Sequence, residues 1–123
     1  MPGRTTFTPA EISYLRSQRL GRIATVDPRG RPRVVPTGFR YNAETGTIDL
    51  SGANLASTRR YQDVQQNPHV AFVVDDLVST DPWRPRAVHI RGTVTIHEPD
   101  DPSEEPWMRL TPTSVSSFGL DHS

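Results

Sequence analysis

The chain has 123 residues, a formal net charge of zero, 33% hydrophobic and 23% charged residues. That length fits one domain with a modest core, and neutrality argues against a broad electrostatic footprint for nucleic acid or a membrane surface. Cysteine is absent, which excludes disulfides and thiolate chemistry, and all 14 basic residues are arginine, which excludes a lysine base or Schiff base. The 12 prolines suit a β-rich chain with many turns, or a domain that completes its burial by dimerising. No run has the length and hydropathy of a membrane span, and no apolar signal-peptide region is visible, so the cytoplasm is the expected compartment.

Thr8-Pro9-Ala10-Glu11 is a capping box with proline at the first helical position, so a helix begins there. Ile12 and Leu15, extended toward Leu20, give its apolar stripe. Beyond Gly21 the period changes to two. Residues 22–26 read as a strand, 27–30 as a tight turn and 33–41 as a second strand. Pro36 lacks a ladder donor, so that strand lies at an edge or bulges there; the departure either frees backbone for a ligand or turns a barrel corner. Residues 42–46 form a turn, 47–51 a third strand and 57–66 a helix stopped by Asn67-Pro68. Val70 to Val74 is apolar at every position, the pattern of a strand buried on both faces; in a small barrel one face meets the core and the other needs a partner surface.

Residues 75–85 read as a loop. The stretch 87–97 alternates, with Val88, Ile90, Val94 and Ile96 opposed to His89, Arg91, Thr93, Thr95 and His97. Residues 98–106 are acidic and proline-rich, hence an exposed turn, and 107–115 form a last strand bent at Thr111-Pro112. Six strands at hairpin spacing, one N-terminal helix and one inserted short helix predict a mainly β, six-stranded antiparallel barrel with Greek-key connections.

Chemistry concentrates in two places. Ser57 and Thr58 open the inserted helix, and its first turn carries Arg59 and Arg60. Unpaired N–H groups, a positive dipole end, hydroxyls and guanidiniums together make a site for a phosphate, or else a plain N-cap with solvated arginines. Asp81-Pro82-Trp83-Arg84-Pro85-Arg86 is a stiff segment with an indole and two guanidiniums, either an aromatic wall with anion clamps or a solvent loop. His69, His89, His97 and His122 show no ligand spacing, so no metal site is expected. No nucleophile elbow, GxGxxG or Walker motif occurs. An enzyme without an obvious acid, base or nucleophile leaves the reaction to a cofactor.

Residues 18–26, 30–39, 58–61, 67–76 and 81–86, in this order and spacing, resemble the pyridoxamine 5′-phosphate oxidase-like split-barrel family. Together with residues 109–121 they are similar to its short actinobacterial branch, the reductases that use the deazaflavin coenzyme F420. The resemblance implies a split β-barrel homodimer with two cofactor sites at the interface. It places the cofactor phosphate at Arg60, helped by Ser57, Thr58 and Arg59, with Ser51 at the strand end beside them. Backbone of Val35, Pro36 and Thr37 would lie along the ring, and Trp83 and Arg86 would close the site from the other subunit. The implied activity is hydride transfer from reduced F420, or from FMN as the alternative, to an unsaturated organic substrate. A non-catalytic module storing FMN, F420 or haem is the second reading. Arg22, Arg31 and Arg33 would serve the polyglutamate tail of F420, or are plain solvated strand ends. Arginine stands at position 60 where some relatives have lysine, a change that keeps the charge and adds bidentate geometry. Tyr41 and Tyr61 are proton-donor candidates by elimination only.

Overall fold

The computed structural model describes residues 4–120. Helix α1 (Pro9–Ser17) precedes seven strands: β1 (Leu20–Val26), β2 (Pro32–Gly38), β3 (Arg40–Asn42), β4 (Thr47–Leu50), β5 (His69–Thr80), β6 (Trp83–His97) and β7 (Trp107–Phe118). A 3-10 turn (Leu55–Ser57) and helix α2 (Arg59–Gln66) lie between β4 and β5. The capping box forms as expected: Thr8 Oγ1 accepts from the Glu11 amide at 3.1 Å, and Glu11 Oε1 accepts from the Thr8 amide at 2.9 Å.

The strands make one antiparallel sheet in the order β2-β1-β5-β6-β7-β4-β3. Its two edges, β2 and β3, are joined through the single residue Phe39, so the sheet curls until those edges approach at one corner. β5, β6 and β7 form successive hairpins and β4 returns beside β7, which is the Greek-key arrangement.

Seven strands replace the expected six because residues 33–41 are not continuous. β2 pairs with β1, whereas β3 pairs with β4. The change of partner falls at Phe39, whose ring packs edge-to-face on Phe72 at 5.5 Å and so fixes the corner in the core. Pro36 lies on the edge strand, where proline is tolerated.

The expected loop at 75–85 is instead the far end of a long hairpin. Asp75 pairs with Ala87 and Asp76 with Arg86, and the chain reverses at Asp81-Pro82. Ladder bonds and an Asp76–Arg86 ion pair hold strands whose composition is too polar to announce them. The last strand likewise runs on to Phe118 by pairing with Ala87. Its bend is a bulge: Arg91 pairs with Ser114 and Gly92 with Pro112. Gly92 is required there, since a Cβ would stand 2.2 Å from the Thr111 carbonyl oxygen.

Inward-facing Leu15, Ile23, Ile48, Leu50, Phe72, Val88, Ile90, Met108 and Leu110 make the core, each nearly inaccessible to solvent. Leu20, assigned from sequence to the helix stripe, is on β1 and exposed; Tyr14 is buried in its place. Two buried carboxylates tie helices to the sheet. Glu11 is held by Arg4 at 2.6 and 2.9 Å and by the Ser117 hydroxyl at 2.5 Å. Asp63 on α2 accepts from Thr25 Oγ1 at 2.7 Å and Arg33 Nε at 3.0 Å.

β5 alternates within the chain. Val70, Phe72 and Val74 face the core, whereas Ala71 is exposed and Val73 half-buried. The outer face continues across the sheet in two rows, Val34-Ala24-Ala71-Arg91-Ser114 and Pro36-Arg22-Val73-His89-Ser116. Among the described residues, no helix is long and apolar enough to cross a membrane.

Candidate functional site

β4 ends at Leu50, and residues 51–54 lead into the 3-10 turn through Asn54, which adopts a left-handed φ of 57°. Asparagine tolerates that conformation because its short side chain bonds locally. Thr58 caps α2: its Oγ1 accepts from the Tyr61 amide at 3.3 Å and donates to the Leu55 carbonyl at 2.7 Å. Ser57 Oγ donates to the Asn54 carbonyl at 2.8 Å. Both hydroxyl protons therefore hold the turn. The groups left to face a ligand are the amides of Arg59 and Arg60, which have no acceptor within the helix.

Arg60 reaches back from that turn to the end of β4. Its Nη2 lies against Gly52, where even a Cβ would approach to 3.4 Å. Its Nε is buried and has no hydrogen-bond partner. An unsatisfied buried donor costs about 1–3 kcal/mol, more when charged. A guanidinium held in that state beside a helix N-terminus fits an anionic oxygen such as a phosphate.

Most of the remaining candidates lie on other elements. Ser51 follows β4 and lines a cavity of about 470 Å³ with Gly38, Phe39 and Trp107. Val35 is half-buried, Pro36 exposed and Thr37 buried with Oγ1 donating to the Gly38 carbonyl at 3.1 Å. These three residues occupy the edge strand, so one side of their backbone has no neighbouring strand. Arg59 is exposed and lines a different recess with Arg29, Arg31 and Arg33. There Arg31 pairs with Asp27 and Arg33 with Asp63, whereas Arg22 lies on the outer sheet face and pairs with Asp75.

Trp83 and Arg86 sit on the β5–β6 hairpin. Trp83 is 69% exposed. Arg86 binds Asp76 at 2.9 and 2.6 Å and lies over the Tyr14 ring at 4.9 Å. The bond from Arg86 lowers the Asp76 pKa, and burial followed by the bond to Asp76 raises that of Tyr14. Tyr61 is buried in the core, and burial raises its pKa; Tyr41 is half-buried between Phe7 and Arg16. Among the described residues no cluster of His, Asp or Glu could hold a metal ion, and His122 lies outside them.

A family model described as pyridoxamine 5′-phosphate oxidase matches residues 7–115. The chain belongs to this family. It is 38% identical over 120 residues to the 5a,11a-dehydrotetracycline/5a,11a-dehydrooxytetracycline reductase of Streptomyces rimosus, across 94% of this chain and 84% of that protein. Its fold is similar to that of a conserved hypothetical protein from Mycobacterium tuberculosis, with a TM-score of 0.74, 19% identity and 100% and 96% of the two chains covered. It is also similar to an FAD-binding protein from Mycobacterium smegmatis, with a TM-score of 0.69, 21% identity and 94% and 97% covered.

Sequence reasoning missed two parts of this family member's surface. Gly52, against which Arg60 Nη2 lies, looks like any loop glycine. Trp107, Arg109, Arg40 and Asp49 come together from three strands, and only knowledge of the β4–β7 and β3–β4 registers brings them side by side.

Proposed function

We propose that the protein is an oxidoreductase that binds a flavin-type cofactor, reduced F420 in preference to FMN, and reduces an unsaturated small organic substrate. The observation that carries this reading is the orphaned, buried Nε of Arg60 beside Gly52 and the start of α2. The 38% identity to a reductase supports the reaction class. Arg60, the first-turn amides of α2 and Ser51 would hold the cofactor phosphate. The open edge of β2 around Val35, Pro36 and Thr37 would lie along the ring. The arginine recess at Arg29, Arg31, Arg33 and Arg59 would accept a polycarboxylate tail. When bound, the cofactor supplies the hydride; the chain's residues bind, orient and exclude water.

A two-fold homodimer belongs to the same proposal. Val34 and Phe118 are 63% and 50% exposed on the outer sheet face, and a second copy would cover them with Ala71 and Val73. β5 has 12 residues and carries the hairpin tip up to about 36 Å from its start beside α2. That reach supports a site in which Trp83 serves a partner's Arg60 rather than its own. Sedimentation at micromolar concentration should give a dimer; a clean monomer would remove the shared site. Turnover is tested by mixing protein, reduced F420 and 5a,11a-dehydrotetracycline, the last as a probe acceptor. Reoxidation of F420 that requires the protein is the expected result. Failure to bind either F420 or FMN would overturn the proposal.

A further inference from the structure

The cavity beside Ser51 has a chemistry of its own. Its wall is Trp107, whose indole stacks on the His97 ring at 4.3 Å and 16°, with Arg109 Cζ at 4.9 Å from its centroid. Phe39 and Leu50 add apolar lining. Two guanidiniums meet one carboxylate here. Arg109 binds Asp49 with Nε at 3.1 Å and Nη2 at 3.3 Å, and Arg40 Nη2 stands at 3.9 Å. Asn42 and Thr47 also donate to Asp49, at 2.9 and 3.0 Å. Burial opposes the charge on Asp49, but the bonds from Arg109, Asn42 and Thr47 outweigh it and keep its pKa below the ordinary value.

The count leaves one positive charge in excess at the cavity. Arg109 is fixed by two bonds, whereas Arg40 is loosely held and its side chain is 76% exposed at the mouth. A flat aromatic wall with an uncompensated guanidinium suits a planar conjugated compound carrying an acidic oxygen. We propose that this cavity is the acceptor site, and that it takes a planar conjugated enolate, phenolate or carboxylate. Trp107 is its aromatic wall and Arg40 and Arg109 are its anion clamp. Asp49 is a positioning residue that aims both arginines. The acceptor role rests on the proposed reductase function, and Ser51 is the residue shared with the proposed cofactor site; binding of the anion does not rest on it.

The test uses the intact protein, with 1-hydroxy-2-naphthoate as probe and 1-hydroxy-2-naphthamide as its neutral isostere. The two tryptophans give two indole N–H signals in a nitrogen–proton correlation spectrum. The acid should shift the Trp107 signal and leave that of Trp83 in place, and the amide should bind about tenfold more weakly. Arg40→Gln, at an exposed position, should remove that preference while leaving amide binding unchanged. Equal binding of acid and amide, or no movement of Trp107, would overturn the proposal. Arg60→Ala should leave naphthoate binding intact while cofactor binding falls, which separates failure here from failure of the cofactor reading. In turnover the acid should raise KM for the acceptor without lowering kcat; the opposite pattern would remove the acceptor assignment.

Discussion

Glu11 is a buried charge whose contribution to stability can be worked out from its contacts. Its carboxylate is inaccessible to solvent and accepts two bonds from Arg4, one from Ser117 and one from the Thr8 amide. Burial alone would raise its pKa, but those partners outweigh it and bring the value down to about 2 from 4.5. Converted at 1.36 kcal/mol per pH unit, that drop is at most about 3 kcal/mol. The Arg4 side chain is 40% exposed and partly screened by water, which reduces the figure to about 2 kcal/mol. Glu11→Gln keeps the shape and removes the charge. It should lower stability in urea by about 2 kcal/mol at pH 7 and Tm by roughly 6–12 °C. Because the folded value lies below the ordinary one, the stabilisation is complete above about pH 4.5 and is lost as pH falls through 2. The difference between wild type and Glu11→Gln should therefore shrink across that window. An equal difference at pH 7 and pH 2.5 would refute the assignment of this energy to the carboxylate.

Other substitutions test separate parts of the account. Gly92→Ala puts a Cβ within 2.2 Å of the Thr111 carbonyl oxygen and 2.8 Å of Leu110 Cδ1, so urea unfolding should show a loss of about 2–3 kcal/mol; a loss under 0.5 kcal/mol would mean the bulge yields easily. Asp63→Ala strips Thr25 and Arg33 of their shared acceptor and should cost about 2–4 kcal/mol by the same assay, with Asp63→Asn recovering part of it. Trp83→Ala and Arg60→Ala chains should each bind cofactor poorly alone but regain binding when mixed. Up to about half the dimers then carry one intact site if subunits exchange at random. No recovery after exchange would place Trp83 in its own chain's site or outside any site.

The legible parts of the fold were those with short-range signals. The Thr8–Glu11 capping box, the Thr58 cap, the edge position of Pro36 and the bend at Thr111-Pro112 all depend on residues close in sequence. The corner at Phe39 was invisible, because a strand that changes partner keeps its alternation. The Asp75–Thr80 arm was invisible for a different reason: it is held by ladder bonds and the Asp76–Arg86 pair, so no apolar run marks it. At the candidate site, Ser57 and Thr58 announced a helix start, but nothing in the sequence separates Arg60, lying against Gly52, from Arg59, turned into another recess. The grouping of Trp107, Arg109, Arg40 and Asp49 is a property of register alone.

The central claim is that Arg60 anchors the cofactor phosphate, and its most direct test is a pair of measurements on Arg60→Ala: F420 affinity by titration and Tm without ligand. In the unliganded chain the Nε bond is unmade. Removing the side chain also removes that unpaired donor, so Tm should not fall. The same change should weaken F420 binding about 10- to 100-fold, the equivalent of one charge-assisted bond of roughly 1.5–3 kcal/mol. Unchanged F420 affinity, or a large loss of Tm with affinity retained, would make Arg60 a structural residue and contradict the account.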